Sequence, residues 1–279
     1  MGLVTAYVAE LKKGGRPDAC LTRAAVFTQA QIPLAMLDRL ISMDSAFNTR
    51  FYQSLSLVFE AHGVAFSKSL QDAINSLGEG RFKSMGVLTA IDLVAFDLCR
   101  KVGLPARMIV MRSVATSAAS THIAERYQGV DACQARVAGM LRHVGLPIIA
   151  AVNGEKYKAV WEALAGGAAS ISEAEKYAFG YTHETVGGLV VQQWAMPPFI
   201  AEAMNPSKRP LAELTGVTYC VEAGSIMAHQ LGFDGGAANT PPALPLSELA
   251  RVGITENDLA KLADEVSAEV NLCSQMLSG

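Results

Sequence analysis

Apolar residues recur along this chain at helical spacing almost from end to end. The clearest case lies near the C-terminus, where Leu259, Leu262, Val266, Val270, Cys273 and Leu277 follow at steps of three and four and draw one stripe along a helix. Thr255 and Asp258 precede that stripe with the spacing of a capping box, in which side-chain oxygens satisfy the free amides of the first turn. Ser172 with Glu175 has the same spacing before Tyr177, and Ser69 with Asp72 before Ile74. Alternating runs of β-branched residues bounded by turns are almost absent, so the pattern predicts an all-α fold.

Glycine and proline divide the helices. Gly78-Glu79-Gly80 separates a helix ending near Leu77 from one running through Phe82 to Cys99, and Gly103-Leu104-Pro105 closes the latter. We place a boundary there: an N-terminal lobe over residues 1–105 and a second over 106–279, packed together. Gly145-Leu146-Pro147 and Gly166-Gly167 punctuate the second lobe, and Met196-Pro197-Pro198 ends the helix that carries Val186, Val190 and Trp194. Residues 232–245 (GFDGGAANTPPALP) read as a loop of weak order.

Composition narrows the function classes. Of 279 residues 51% are hydrophobic and 18% charged, which supports a large core and excludes global disorder. A formal charge of -3, with only the short basic pairs Lys12-Lys13 and Lys208-Arg209, argues against a nucleic-acid partner. No run approaches the 18 or more apolar residues of a membrane span, and the long segment 85–99 is broken by Asp92 and Asp97, so no membrane partner is expected. Five cysteines (Cys20, Cys99, Cys133, Cys220, Cys273) lie far apart without metal-binding spacing, which suits a reducing, cytoplasmic setting and buried, inert thiols. Trp161 and Trp194 fall among apolar positions and are expected in the core, and the scattered methionines as gap-fillers. An apolar-rich helical chain of this kind is also suited to forming a homo-oligomer.

The usual one-line enzyme signatures (HExxH, GxSxG, P-loop, GxGxxG) do not occur. What does occur is an ordered series: MRSVATSAA from Met111, VAGMLRHVG from Val137, GYTHETVG from Gly180, then Gln193-Trp194-Ala195-Met196-Pro197. Upstream stand Ile41-Ser42-Met43-Asp44-Ser45-Ala46-Phe47 and SLQDAINSLG from Ser69. Together, over about residues 37–204, these segments resemble the HDOD family, the HD-related output domains, which are kin to metal-dependent HD phosphohydrolases.

That resemblance implies an all-helical fold of two lobes, the second shaped like an HD domain. It also implies where a metal would be held, and there the chain departs from the pattern. The namesake His-Asp pair falls on Arg142-His143, and an earlier histidine on Arg112. A later His-His pair falls near Ser207-Lys208, and the last carboxylate around Ser225, or on Glu222 if the register slips. Only His183 stands where a ligand is expected. A catalytic metal needs about three protein ligands and an open position, and arginine has no lone pair to offer. No metal and no cofactor is therefore expected. The resemblance implies a non-catalytic regulatory domain in signal transduction, acting on a protein partner or a small anionic, nucleotide-like ligand.

Two readings of Arg112, Arg142, His143 and His183 stand open. They could line a vestigial cleft whose guanidiniums fork onto a phosphate or carboxylate. Alternatively they could form buried salt bridges, with Asp131 or Glu184 as partners, that only hold helices together. The rival functions are a phosphohydrolase with a non-standard ligand set and a protein-interaction scaffold with no small ligand.

Overall fold

The computed structural model describes residues 3–13, 15–67, 69–167, 170–204, 209–236 and 244–277. Every regular element among these residues is helical. The chain begins with α1 (Leu3–Lys13), α2 (Arg16–Phe27), α3 (Leu34–Ser42), α4 (Ser45–Ala61), α5 (Leu70–Leu77) and α6 (Glu79–Val102). Then follow α7 (Ala106–Ala124), α8 (Ala132–Leu141), α9 (Gly145–Asn153), α10 (Lys158–Ala165), α11 (Ile171–Phe179) and α12 (His183–Gln193). The chain finishes with α13 (Pro198–Met204), α14 (Gly216–Gln230), α15 (Leu246–Ala250) and α16 (Glu256–Met276).

Local signals explain most boundaries. Asp44 caps α4 by accepting from the amides of Ala46 (3.0 Å) and Phe47 (3.1 Å). Ser69 does the same for α5 through the amide of Asp72 at 3.2 Å. At α16 the Thr255 amide donates to Asp258 at 2.8 Å within a complete capping box. Gly103 takes a left-handed φ of 70° and closes α6, a conformation that a Cβ would disfavour. The pair Ser172 and Glu175 is different: the N-cap of α11 is Ser170, which accepts from the amide of Glu173 at 3.1 Å, and Glu175 turns inward.

Gly145-Leu146-Pro147 opens α9 rather than merely breaking a helix. Of the expected loop, residues 237–243 lie outside the described residues, as does Ser207-Lys208. The described part is tied down, with the carbonyl of Asp234 taking a hydrogen bond from Arg112 Nη1 at 3.0 Å.

Packing is organised by two buried helices. Helix α6 rests on α2, α4 and α5 on one side and on α7, α8 and α9 on the other. Phe27, Phe47, Phe51 and Phe82 fill the core between α2, α4 and α6, with ring centroids 5.7–6.3 Å apart. Helix α7 is buried on nearly all sides, between α8, α14 and α16, and shows no polar face. Its small residues permit this: Ser117 Oγ donates to the carbonyl of Arg136 at 2.7 Å, and Ser120 backs directly onto Gly224 of α14. Helix α16 returns across α4 and α7, and α1 packs on α2, α9 and α12. The apolar stretch Ala132–Leu164 is long enough to cross a membrane by composition alone. It is, however, broken into α8, α9 and α10, and 89% of its most apolar window is buried in this core.

Candidate functional site

The end of α8, the start of α12 and the facing sides of α7 and α14 meet in a buried polar cluster. Arg142 and His143 sit in the turn after α8, where the Arg142 amide still bonds the carbonyl of Gly139. His183 is the first residue of α12, after the cap Thr182. Arg112 comes from α7. All four residues expected from the sequence converge: the His143 and His183 ring centroids are 6.1 Å apart, and the charges of Arg112 and Arg142 both act on His143.

Arg142 is held at both ends of its guanidinium. Nη1 donates to the carbonyl of Met204 at 2.9 Å and Nη2 to Glu222 Oε2 at 2.8 Å. Burial works against its charge, but Glu222 and Glu184 outweigh that and raise its pKa. Among the described residues Arg112 has no such carboxylate contact, and burial followed by the neighbouring Arg142 lowers it to about 10, still cationic at neutral pH.

His143 is neutral for the same reasons. Burial first, then Arg112 and Arg142, hold its pKa well below the usual imidazole range. Its Nε2 lies 3.4 Å from both Thr116 Oγ1 and Ser225 Oγ.

His183 has the opposite surroundings. Its backbone N–H and its Nδ1 both meet Glu175 Oε2 at 2.7 Å. Tyr157 Oη donates to the other oxygen, Oε1, at 2.5 Å. On the far side, His183 Nε2 faces Glu184 Oε1 at 3.5 Å, and Ser172 Oγ donates to that same oxygen at 2.6 Å. Burial opposes the imidazolium, but Glu175 and Glu184 override it and raise the pKa. Glu184 is held at about 2, since His183, Arg142 and the Ser172 hydroxyl outweigh its own burial.

Of the two partners considered for buried ion pairs, Glu184 pairs with His183, whereas Arg142 pairs with Glu222. Asp131 caps α8 through the amide of Cys133 at 2.8 Å, Glu184 acts on Arg142 only through its field, and Glu222 makes the direct pair. Two residues of the network, Glu175 and Tyr157, escaped the sequence reading. The signal for Glu175 was present: it shares the i, i+3, i+4 stripe of Ile171 and Ala174, the buried face of α11, where an acid requires a partner.

Glu175, His183 and Glu184 offer ligand atoms within 4.8 Å of one another, as a metal would require. They do not fit one. Both oxygens of Glu175 already accept hydrogen bonds, Oε1 of Glu184 takes the Ser172 hydroxyl, and the guanidinium of Arg142 supplies the positive charge beside them. A divalent ion would need bonds of about 2 Å to His183 Nε2 and to two carboxylates that already accept hydrogen bonds, next to a buried guanidinium that repels it. Cysteine chemistry has no better footing, because burial pushes the thiols of Cys20, Cys99, Cys220 and Cys273 up to about 12. On its outer side the cluster is reached from a cleft of about 390 Å³, with Arg142, Glu184 and Glu222 in its wall and Thr182 and Lys176 among its other lining residues.

Three solved structures share this architecture. "Putative phosphohydrolase" from Shewanella amazonensis SB2B superposes with a TM-score of 0.70 at 18% identity, over 98% of each chain. An HDOD domain protein with unknown function from Geobacter sulfurreducens gives 0.69 at 18% identity, over 98% of this chain and 96% of that one. "Putative signal transduction protein" from Marinobacter aquaeolei VT8 gives 0.71 at 17% identity, over 93% of this chain but 59% of its own length. Such identities establish the fold and nothing finer. No curated protein matches the chain. The HDOD domain model matches residues 17–210, from α2 past α13, and so takes in Arg112, Arg142, His143 and His183. On that match, reinforced by the shared helical architecture, the chain belongs to the HDOD family.

Proposed function

We propose that this chain is a non-catalytic signal-transduction domain that acts through protein contacts, with a self-neutralised ion cluster where hydrolytic relatives of the fold hold metal. The observation that carries the reading is Arg142, a buried cation locked to the Met204 carbonyl and to Glu222. Two guanidiniums and the proton-favouring His183 face the carboxylates of Glu175, Glu184 and Glu222, so the cluster balances itself without an added ion. Protein contact is supported by Tyr177, 95% exposed on α11, the helix whose opposite face buries Glu175. Exposed aromatic side chains of this kind are frequent anchors of protein interfaces.

A second reading, a small anionic or nucleotide-like ligand at Arg112, Arg142, His143 and His183, draws on one observation. The buried Nε atoms of Arg112 and Arg142 and Nδ1 of His143 have no hydrogen-bond partner among the described residues. Such a ligand would compete with Glu222 for Arg142.

The test uses untreated purified protein, analysed for manganese, iron and zinc and assayed on a phosphodiester substrate with added manganese. We expect far less than one metal per chain and no turnover that a chelator abolishes. Stoichiometric metal with chelator-sensitive turnover would overturn the proposal in favour of a phosphohydrolase. Thermal-shift screening with nucleotides, set against crosslinking to native partners, separates the second reading from the first.

A further inference from the structure

A second cleft, unrelated to the polar cluster, opens where α16 crosses α4. It measures about 360 Å³, within the range of small-ligand sites. Its walls are apolar: Val58 from α4, Leu77 from α5, Met85 from α6, and Leu272 and Met276 from α16.

The charges that line it are already engaged, with one exception. Glu269 forms a double hydrogen bond with Arg136, at 2.5 and 3.4 Å. Glu265 faces His122 at 3.6 Å and Lys261 at 3.7 Å. His122 lies a further 3.3 Å from Glu125, and His62 bonds the carbonyl of Val58 at 2.7 Å. Arg81 alone makes no ion pair or side-chain hydrogen bond among the described residues, although it lies on the wall of an apolar cleft.

We infer that this cleft binds a small amphipathic carboxylate, its apolar tail between Met85 and Met276 and its head on the Arg81 guanidinium. An apolar cleft with one uncommitted guanidinium at its wall matches a molecule that is apolar except for a single anionic end. Guanidinium binds a carboxylate through two parallel hydrogen bonds, which an alcohol or an amine cannot reproduce. The flexible methionines Met85, from α6, and Met276, from α16, can adjust to the tail. The inference is independent of the metal question, since none of these residues belongs to the Arg142 cluster.

The experiment is a titration of the full chain carrying ¹³C-methyl methionine, with octanoate and octanol as probes, followed by NMR. Saturable shifts are expected at the Met85 and Met276 methyls with octanoate, with octanol binding about tenfold more weakly, the worth of one charge-assisted contact. Arg81→Gln, at an exposed position, should weaken octanoate by a similar factor and leave octanol unchanged. Ala268→Trp, at an exposed position on the same cleft, should abolish both. Absence of saturable shifts at those two methyls, equal affinity for the two probes, or indifference to Arg81→Gln would each overturn the inference.

Discussion

Replacing Glu175 by alanine is the most incisive perturbation of the polar cluster. The carboxylate is fully buried and satisfies three donors: the Tyr157 hydroxyl on one oxygen, and the backbone N–H and Nδ1 of His183 on the other. Each donor stranded out of water costs about 1–3 kcal/mol, and breaking a buried charged pair costs about 3–5 kcal/mol. Three donors give about 3–9 kcal/mol and the pair about 3–5, so the overlap, about 3–5 kcal/mol, is the expected loss, a large share of a total stability of about 5–15 kcal/mol. Glu175→Gln keeps the shape but turns an amide donor toward other donors, so it should lose less, about 2–3 kcal/mol.

Urea unfolding followed by far-UV circular dichroism reads both variants through the midpoint at a common slope. A loss below about 1 kcal/mol for alanine would refute the claim that these bonds hold α11 to α12. A pH series adds an independent check. The folded pKa of His183 lies above its ordinary 6.5, so its contribution is full below about 6.5 and fades as pH rises through the raised value. The gap between wild type and Glu175→Ala should therefore be wider at about pH 6 than at about pH 9. A gap that does not move with pH would show that the imidazolium plays no part.

Three further outcomes follow from the same geometry. Arg142→Ala strands the Met204 carbonyl and Glu222 and should cost about 2–4 kcal/mol, while Arg142→Lys recovers only part because one ammonium cannot match the fork; urea midpoints decide. Gly145→Ala would place a Cβ 2.0 Å from the His183 carbonyl oxygen and 2.6 Å from the Gly187 nitrogen, so it should cost more than about 3 kcal/mol or prevent folding, read as loss of soluble, cooperatively melting protein. Asp92, pushed up to about 6 because burial outweighs Arg50 and Arg16, binds its proton more tightly folded than unfolded. Stability is therefore lost as pH rises from about 4 through 6, and Asp92→Asn should raise the melting temperature at pH 7 but hardly at pH 4.

What could be seen in the sequence was local. The box at Thr255 and Asp258, the cap at Ser69 and the left-handed stop at Gly103 depend on neighbours within one turn, and each forms as its spacing requires. The convergence of Arg112, Arg142, His143 and His183 came through the family pattern, since nothing in helical periodicity places α7, α8 and α12 side by side. Partners were harder. Glu222 lies 80 residues from Arg142, and Tyr157 lies 18 from Glu175, distances at which periodicity carries no information. Glu175 itself was misread because Ser172 stood three residues ahead of it, whereas burial of the Ile171–Ala174 face outweighed that local option. Apolar composition misleads in the opposite direction, for α8, α9 and α10 in succession have the composition of a membrane span although α8 and α9 lie in the core.

At Gly145 the main chains of α9 and α12 touch without any side chain between them. Peptide planes cannot change rotamer, so that seam has no give, and the two helices must tilt as one stiff plate. Helix α1 lies against both. A displacement of α1 should therefore reach His183, the first residue of α12, and its bond to Glu175. Amide hydrogen exchange puts a number on the stiffness: α9 and α12 should share one opening rate, and two separate rates would split the plate.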